Sequence, residues 1–530
     1  MKSFNRFKGD KWVSLGLVII ICASLLSGCG SSASDNYSET SMAGKDNTSE
    51  FAYSEDNNYD NSRDSETQQS EEENQYNDTY FKGYGTNPFV NAKEEPLSTF
   101  ALDVDTASYT IARKYINDGS LPPKDAIRVE EFINYFNRQY PTPTKDTFSI
   151  YTEMAPSAFN RGYHVLEVGL QGKDVGVSSI KNTALTFVID VSGSMDMDNR
   201  LKLVKESLEI LVNQMGKNGK IGIVVYGTNG RKLLEPTSAD DKDKIMDAID
   251  ELESEGSTNA AEGLMLGYDM AYKSFIKGGN NRVILCTDGV ANQGITDAEE
   301  ILKKVEDYKS KGITLTTLGF GMDNFNDIFL ETLADKGDGN YAYIDTLEEA
   351  EKVFVDQLAG TIQIIAKDAK AQIEFDSESI ESYRLIGYEN RKLSNEDFKD
   401  NSVDAGEIGA GHAVTALYEI KLKSGAKENI GTVKIRYKNP ETNKSNEVSK
   451  QIKSSQVYNN FFDATPRYRF MTMVAQVAEI LKGSTWASNT SLQDVYELLT
   501  SGDMKKLDLK AEDSEFIDLV KKAIDLSRRE

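Results

Sequence analysis

The sequence predicts an α/β fold: a doubly wound, mostly parallel sheet inserted in an antiparallel β-sandwich, with flanking helices. Three observations carry this. Between Ala184 and about Ala359, apolar segments of strand length alternate with amphipathic helical ones, the pattern of a parallel sheet covered on both faces. On either side the hydrophobic period drops to two, as in FSIYTEM before and VTALYEIKL after, which marks strands with one wet face. Both outer flanks carry apolar stripes at helical spacing, such as Val129, Phe132, Ile133 and Phe136.

In chain order, residues 1–28 read as an export leader. Lys2, Arg6, Lys8 and Lys11 precede an apolar run from Trp12 to Leu26. About 15 apolar residues fall short of the roughly 20 that span a bilayer. The run ends in Leu26-Ser27-Gly28-Cys29, which resembles the lipobox of bacterial lipoproteins. The resemblance implies cleavage before Cys29 and lipid on its sulfur. Residues 29–83 read as an acidic tether, since 31–80 hold thirteen acidic side chains against two basic and almost no aliphatics. Such a segment cannot bury a core and is expected to stay extended. Residues 84–144 form an N-terminal helical segment, with helices expected at Asp105–Asp118 and Pro123–Arg138 and a loop at Pro96–Thr99.

Residues 145–181 supply two strands, FSIYTEM and HVLEVGL, too few for a stable sheet alone. Residues 368–456 supply five more of the same period: AQIEFD, SYRLIGY, VTALYEIKL, IGTVKIRY and VSKQIK. The two sets are expected to pair in one discontinuous sandwich, with residues 182–362 inserted between them, since insertions with close termini are tolerated. Within 182–362 the strands are ALTFVIDVS, IGIVVYG, RKLLEP, RVILCTDG, TLTTLGFG and NYAYI, separated by helices that include Leu201–Met215 and a last one at Leu347–Leu358. Residues 457–530 read as helices, at Thr465–Leu481, Ser491–Thr500 and Ser514–Arg528.

Composition excludes some functions. A net charge of −25 over 530 residues argues against nucleic acid, whose phosphates demand the opposite sign. Three cysteines, two of them in the leader region, rule out a disulfide framework.

The chemistry-bearing residues cluster at expected strand ends. Asp190, Ser192 and Ser194 stand at alternate positions after ALTFVID, Thr258 precedes a helix in GSTN, and Asp288 closes RVILCTD. Ligands collect at the carboxyl ends of parallel strands. Two carboxylates and three hydroxyls suit Mg²⁺, with Mn²⁺ or Ca²⁺ possible, and the lack of His and Cys disfavours zinc or copper. Two carboxylates only balance a divalent charge, which leaves a coordination position for an outside Asp or Glu.

These five residues, in this order, resemble the metal-ion-dependent adhesion site of von Willebrand factor type A domains, a likeness covering about residues 182–362. The resemblance implies metal coordination by all five and a partner carboxylate as a further ligand. The stretch Phe100 to Phe136, FALDVDTASYTIARKYINDGSLPPKDAIRVEEFINYF, resembles the N-terminal segment of YfbK-like bacterial lipoproteins, which extends the likeness over most of the mature chain.

Enzymatic readings fare worse. ALDVDT superficially resembles the DxD loop of haloacid-dehalogenase-type phosphatases, but Thr106 falls one residue early and Asp105 or Thr106 serves as a helix cap. A Ser-His-Asp relay needs a nearby His, and His164 and His412 both lie outside 182–362. Cys286 reads as buried packing, and Tyr458, Phe461, Phe462, Tyr468 and Phe470 as core aromatics. The expected function is non-enzymatic. A lipid-anchored protein on the extracytoplasmic face of the cell membrane, more in keeping with a Gram-positive surface, captures a carboxylate-bearing protein partner. The alternative is an assembly component of an envelope complex, in which the metal only braces the loops. Cys29→Ser is predicted to move the protein out of the membrane fraction, because a diacylglyceryl anchor would have no thiol to join. A mutant that still pellets with membranes would show an uncleaved helix instead.

Overall fold

The computed structural model describes residues 80–529, apart from 137–139, 177–179, 218, 290–297, 323–324 and 503–509. The leader and nearly all of the tether therefore lie outside the described residues. The chain opens with β1 (Val90–Asn91) and β2 (Leu97–Ala101), then α1 (Ala107–Asn117), α2 (Val129–Tyr135), β3 (Phe148–Pro156) and β4 (His164–Gly172). The central region runs β5 (Thr183–Asp190), α3 (Arg200–Gln214), β6 (Lys220–Tyr226), β7 (Gly230–Ser238), α4 (Lys242–Asp250), α5 (Ala260–Lys273), β8 (Asn280–Thr287), α6 (Ala298–Ser310), β9 (Thr314–Gly319), α7 (Asp327–Lys336), β10 (Tyr341–Tyr343), α8 (Leu347–Glu351) and α9 (Leu358–Ile362). It continues with β11 (Ile364–Phe375), β12 (Ile380–Ile386), β13 (Gly406–Gly409), β14 (Ala413–Leu422), β15 (Asn429–Lys438) and β16 (Ser445–Lys453), and ends in α10 (Pro466–Lys482), α11 (Leu492–Leu499) and α12 (Ala511–Ser527).

The central sheet has the order β10-β9-β8-β5-β6-β7, parallel except for β7. Every residue of β5 is buried, which is why this strand reads as a continuous apolar run. Phe187 and Ile189 face a core built with Leu201, Val204 and Leu208 of α3. Val188 faces the opposite core, with Leu264 and Tyr268 of α5. Helix α5 lies unusually close to the sheet, because a Cβ at Gly267 would stand 2.2 Å from Val188 Cγ2.

The strands on either side of this domain close on each other. β4 pairs antiparallel with β14 along its length, with Val168 opposite Ala416. β3 and β4 thereby join β12 and β1 in one sheet, while β2, β11, β13, β15 and β16 make the other. The sheets share one core, in which Phe148 meets Tyr437 edge-on at 4.9 Å and Phe375 stacks on Tyr383 at 4.3 Å. The two connections to the inserted domain touch, since Lys181 N–H donates to Gln363 Oε1 at 3.1 Å. Over the sandwich lies a helical layer in which Tyr109, Phe132 and Phe136 pack with Phe470 of α10 and Phe516 of α12. Phe461, Tyr468 and Phe470 are buried as expected, whereas Phe462 is 41% exposed.

Four expectations need correction. Pro96–Thr99 is not a loop: β2 starts at Leu97 and pairs with β11 through Ser98–Ile373 and Phe100–Ala371. The N-terminal segment is thus part of the sandwich, not only helical. The tether does not run free to residue 83, because Tyr80 N–H donates to Phe325 C=O at 2.9 Å and Phe81 packs on the core behind it. The helix expected at Leu347–Leu358 is broken by a π-turn at Lys352–Asp356, which buries Val353 and Phe354. Finally, α7 was not anticipated, because its inward face carries Asp327 and Glu331 where an apolar stripe would be expected.

Those two acids belong to a buried ionic junction of three regions. Arg391, after β12, contacts Asp103 at 2.9 Å, Glu331 at 2.9 Å, Asp335 at 2.6 Å and Asp105 at 3.5 Å. Arg128 contacts Asp327 and Glu131. Six carboxylates therefore share two guanidinium groups. Burial pushes Glu131 up to about 8 and Glu331 up to about 7, and also raises Asp105 and Asp335. Arg391→Leu is predicted to destabilise the fold by about 3–5 kcal/mol, because it strands buried carboxylates without a counter-charge; denaturant titration measures it. The pH dependence has a definite sign. Acids whose folded pKa lies above the unfolded value contribute stability that is lost as pH rises. In EDTA, the melting temperature is predicted to fall between about pH 4.5 and 8, and Glu331→Gln to flatten that slope; a stability that rises across the window would contradict this.

Candidate metal centre

The site is built where β5 and β8 end side by side, paired through Ile189 and Cys286. Asp190 is the last residue of β5 and is fully buried. Its Oδ1 accepts the Ser192 N–H at 2.8 Å, which turns the chain, and its Oδ2 accepts the Thr287 hydroxyl at 2.9 Å. The Ser192 and Ser194 hydroxyl oxygens lie 3.1 Å apart, and the Ser194 hydroxyl donates to Asp288 Oδ1 at 3.1 Å. Four of the five candidate residues thus form one continuous hydrogen-bonded cluster.

Thr258 is half-buried on the neighbouring loop and makes no hydrogen bond to the other four among the described residues. Its loop is nevertheless fastened to theirs. Gly193 N–H donates to Gly256 C=O at 3.1 Å, and the Ser254 hydroxyl donates to Ser192 C=O at 2.9 Å. Asn259 caps α5, accepting the Glu262 N–H at 3.3 Å. Cys286, two residues before Asp288, is buried in the sheet, as expected of a packing residue.

Sequence reasoning missed Arg200. It is almost fully buried, and its guanidinium donates to Asp288 Oδ2 at 2.6 Å and to Ser194 C=O at 3.3 Å. A signal was present: a cation at the first residue of α3 opposes the helix dipole, which implies a carboxylate partner nearby. The preceding loop is tightly wound, with Asp198 and Asn199 in succession at φ 49° and 58°, and Met197 within it is 46% exposed.

Electrostatics define what the site lacks. Burial, and then the neighbouring Asp288 charge, push Asp190 up to about 6. Burial also raises Asp288, against the opposing pull of Arg200. Two carboxylates with one guanidinium leave a buried negative excess, lined by neutral hydroxyls. This donor set fits a hard divalent ion held by Asp190, Ser192, Ser194 and Asp288. His412 and His164 lie on other elements, just ahead of β14 and on β4, and neither hydrogen-bonds to the cluster among the described residues. Asp103 and Asp105 are tied up by Arg391, which leaves no open phosphatase-like pair.

Comparison with known proteins agrees with this architecture. Residues 184–357 match the von Willebrand factor type A domain, residues 75–167 a family described as von Willebrand factor, and residues 360–526 a family described as the C-terminal region of uncharacterized protein YfbK. The chain is 38% identical over 442 residues to uncharacterized protein YfbK of Escherichia coli, covering 78% of this chain and 76% of that protein. It is 29% identical over 207 residues to inter-alpha-trypsin inhibitor heavy chain H1 of Sus scrofa, covering 37% of this chain and 22% of that one. Among solved structures, a von Willebrand factor type A protein from Catenulispora acidiphila aligns with TM-score 0.41 and 16% identity, over 65% of this chain and 81% of that chain. Type A domains serve protein interaction and adhesion and often hold a divalent metal. By the extent of its likeness to the Escherichia coli protein and the type A match at its centre, the chain belongs to the YfbK-like family of type A domain proteins.

Proposed function

We propose that this protein is a membrane-anchored extracytoplasmic binding protein that captures a protein partner through an exposed Asp or Glu. Mg²⁺ would be held by Asp190, Ser192, Ser194, Thr258 and Asp288. The observation that carries the reading is the hydrogen-bonded cluster of two buried carboxylates and two serine hydroxyls at adjoining strand ends. The bound ion would supply an electrophilic position for an external carboxylate oxygen. The chain's own residues do the rest. Asp190 and Asp288 provide charge, the serines provide neutral oxygens that leave the ion electrophilic, and Arg200 and Thr287 hold the two carboxylates in place. Among the described residues the Ser192 and Ser194 hydroxyls bond to each other and to Asp288 and not to a histidine, and the role proposed is binding. The lipid on Cys29 would keep the domain at the membrane.

One observation favours the second reading, an envelope assembly component in which a metal only braces the loops. Arg200 already ties Asp288 to the Ser194 backbone, so part of the bracing exists in the polypeptide itself. The two readings separate in a pull-down from envelope extract with and without EDTA. Capture through the metal is lost in EDTA, whereas bracing leaves capture intact.

Asp190→Ala is predicted to abolish Mg²⁺ and Mn²⁺ binding in calorimetry, because one remaining carboxylate is already claimed by Arg200. Removing a buried charge of raised pKa should leave the melting temperature in EDTA unchanged or higher. Equal metal affinity in mutant and parent would overturn the assignment.

A further inference from the structure

A second set of carboxylates gathers where the inserted domain meets the sandwich. Asp338 lies three residues before β10, and Lys309 lies in the last turn of α6, just ahead of β9. Both therefore stand at the amino ends of parallel strands, at the pole opposite Asp190. Asp404 and Glu407 come from the sandwich, one just before β13 and one within it. One oxygen each from Asp338, Asp404 and Glu407 lies within 4.8 Å of the other two. The turn fixes Asp338 there. Its backbone is left-handed at φ 50°, and a Cβ on Gly339 would stand 1.6 Å from Leu315 C=O.

The three acids are unequally matched. Lys309 Nζ lies 2.5 Å from Asp338 Oδ1 and 2.9 Å from Asp404 Oδ2, and Lys367 Nζ of β11 lies 2.6 Å from Asp338 Oδ2. No ion pair joins either lysine to Glu407. That side chain belongs to a residue only 5% exposed, and its Oε1 has no hydrogen-bond partner among the described residues. Arg282 of β8, fully buried, feels the Glu407 charge but donates to the Thr316 hydroxyl. A buried carboxylate oxygen is costly unless a donor or a cation reaches it.

Three carboxylates with no hydroxyl among them suit Ca²⁺, which takes six to eight oxygens at about 2.3–2.6 Å in adaptable geometry. Such a sphere is about 5 Å across, wide enough for all three oxygens. Mg²⁺, smaller and reluctant to shed water, is disfavoured in a buried set of this span. Asp404 also borders a cavity of about 220 Å³ shared with Asp335 and Asn390, which offers an entry path and room for water ligands.

We propose that Asp338, Asp404 and Glu407 form a calcium site that ties the inserted domain to the sandwich. Lys309 holds the place of the ion in its absence. Its side chain is 22% exposed, so it can swing into solvent while Lys367 stays on Asp338. The exchange gives Glu407 the cation it lacks and joins the two regions by bonds to one ion. The site stands independently of the metal assignment at Asp190.

Calorimetric titration of the full-length Asp190→Ala protein in detergent with CaCl₂ tests this, because that background removes the ion at the end of β5. One calcium is expected to bind with a Kd between about 10⁻⁴ and 10⁻³ M, and the melting temperature to rise with it. Adding Glu407→Gln, which keeps shape and removes charge, is expected to weaken binding about tenfold. Adding Lys309→Met is expected to tighten it about tenfold, because no ammonium competes. This partly exposed position reads the site even where the core variant fails to fold. No calcium uptake at about tenfold above that Kd range would overturn the inference and leave the Asp190 assignment untouched. Calcium binding that neither added substitution changes would also overturn it, since the ion then sits elsewhere.

Discussion

The antiparallel pairing of β4 with β14 is the constraint on which the structure depends. It joins His164–Gly172 to Ala413–Leu422 across an intervening domain of about 180 residues. Its register, with Gln171 opposite Ala413, brings the two connections to one spot, where Lys181 meets Gln363. An inserted domain whose ends are clamped together must present its opposite end outward. Thr183 starts β5 at the clamp and Asp190 ends it at the cluster, a rise of about 23 Å along the strand. The site's position at the far pole follows from that pairing and from strand length.

Charge is managed in two contrasting ways. At the junction, Arg391 and Arg128 bind six carboxylates from α2, α7 and the β2–α1 connection, which locks the N-terminal segment to both the inserted domain and the sandwich. Arg113 adds to this, contacting Asp345 at 2.5 Å and Glu349 at 2.9 Å. A buried network of this kind is costly to form but costlier to break, so it specifies one arrangement of the three regions. At the cluster, by contrast, the negative charge is left incompletely matched and surrounded by hydroxyls. The junction consumes its acids internally, whereas the cluster leaves charge available to something outside the chain.

Much of this was legible in the sequence because the relevant signals are local. Asp190 ends the buried eight-residue strand β5 and Ser192 and Ser194 follow it, and alternation of small oxygen-bearing residues at the end of such a strand has few structural uses. The period-two segments flanking the central region revealed the sandwich, since strands too few to stand alone must find partners. What escaped depended on distant partners. LSTFA in β2 is short and follows Pro96, and only β11, some 270 residues on, makes it a strand. Helix α7 hid because Asp327 and Glu331 occupy its buried face, and their counter-charges, Arg128 and Arg391, lie in other elements. Arg200 was visible as an oddity at a helix start, yet its role required knowing that Asp288 ends the adjacent strand. Thr258 is the reverse case. Its pattern singled it out, but the polypeptide alone does not draw its hydroxyl into the hydrogen-bonded cluster.

That last residue makes the account directly testable. Crystals grown in Mn²⁺ and measured at the manganese absorption edge locate the ion without reference to any partner. The account predicts one anomalous peak within coordination distance of Asp190, Ser192 and Ser194, with the Thr258 loop drawn onto it. A peak at the Asp103, Glu131 and Glu331 carboxylates, or none at the end of β5, would contradict it.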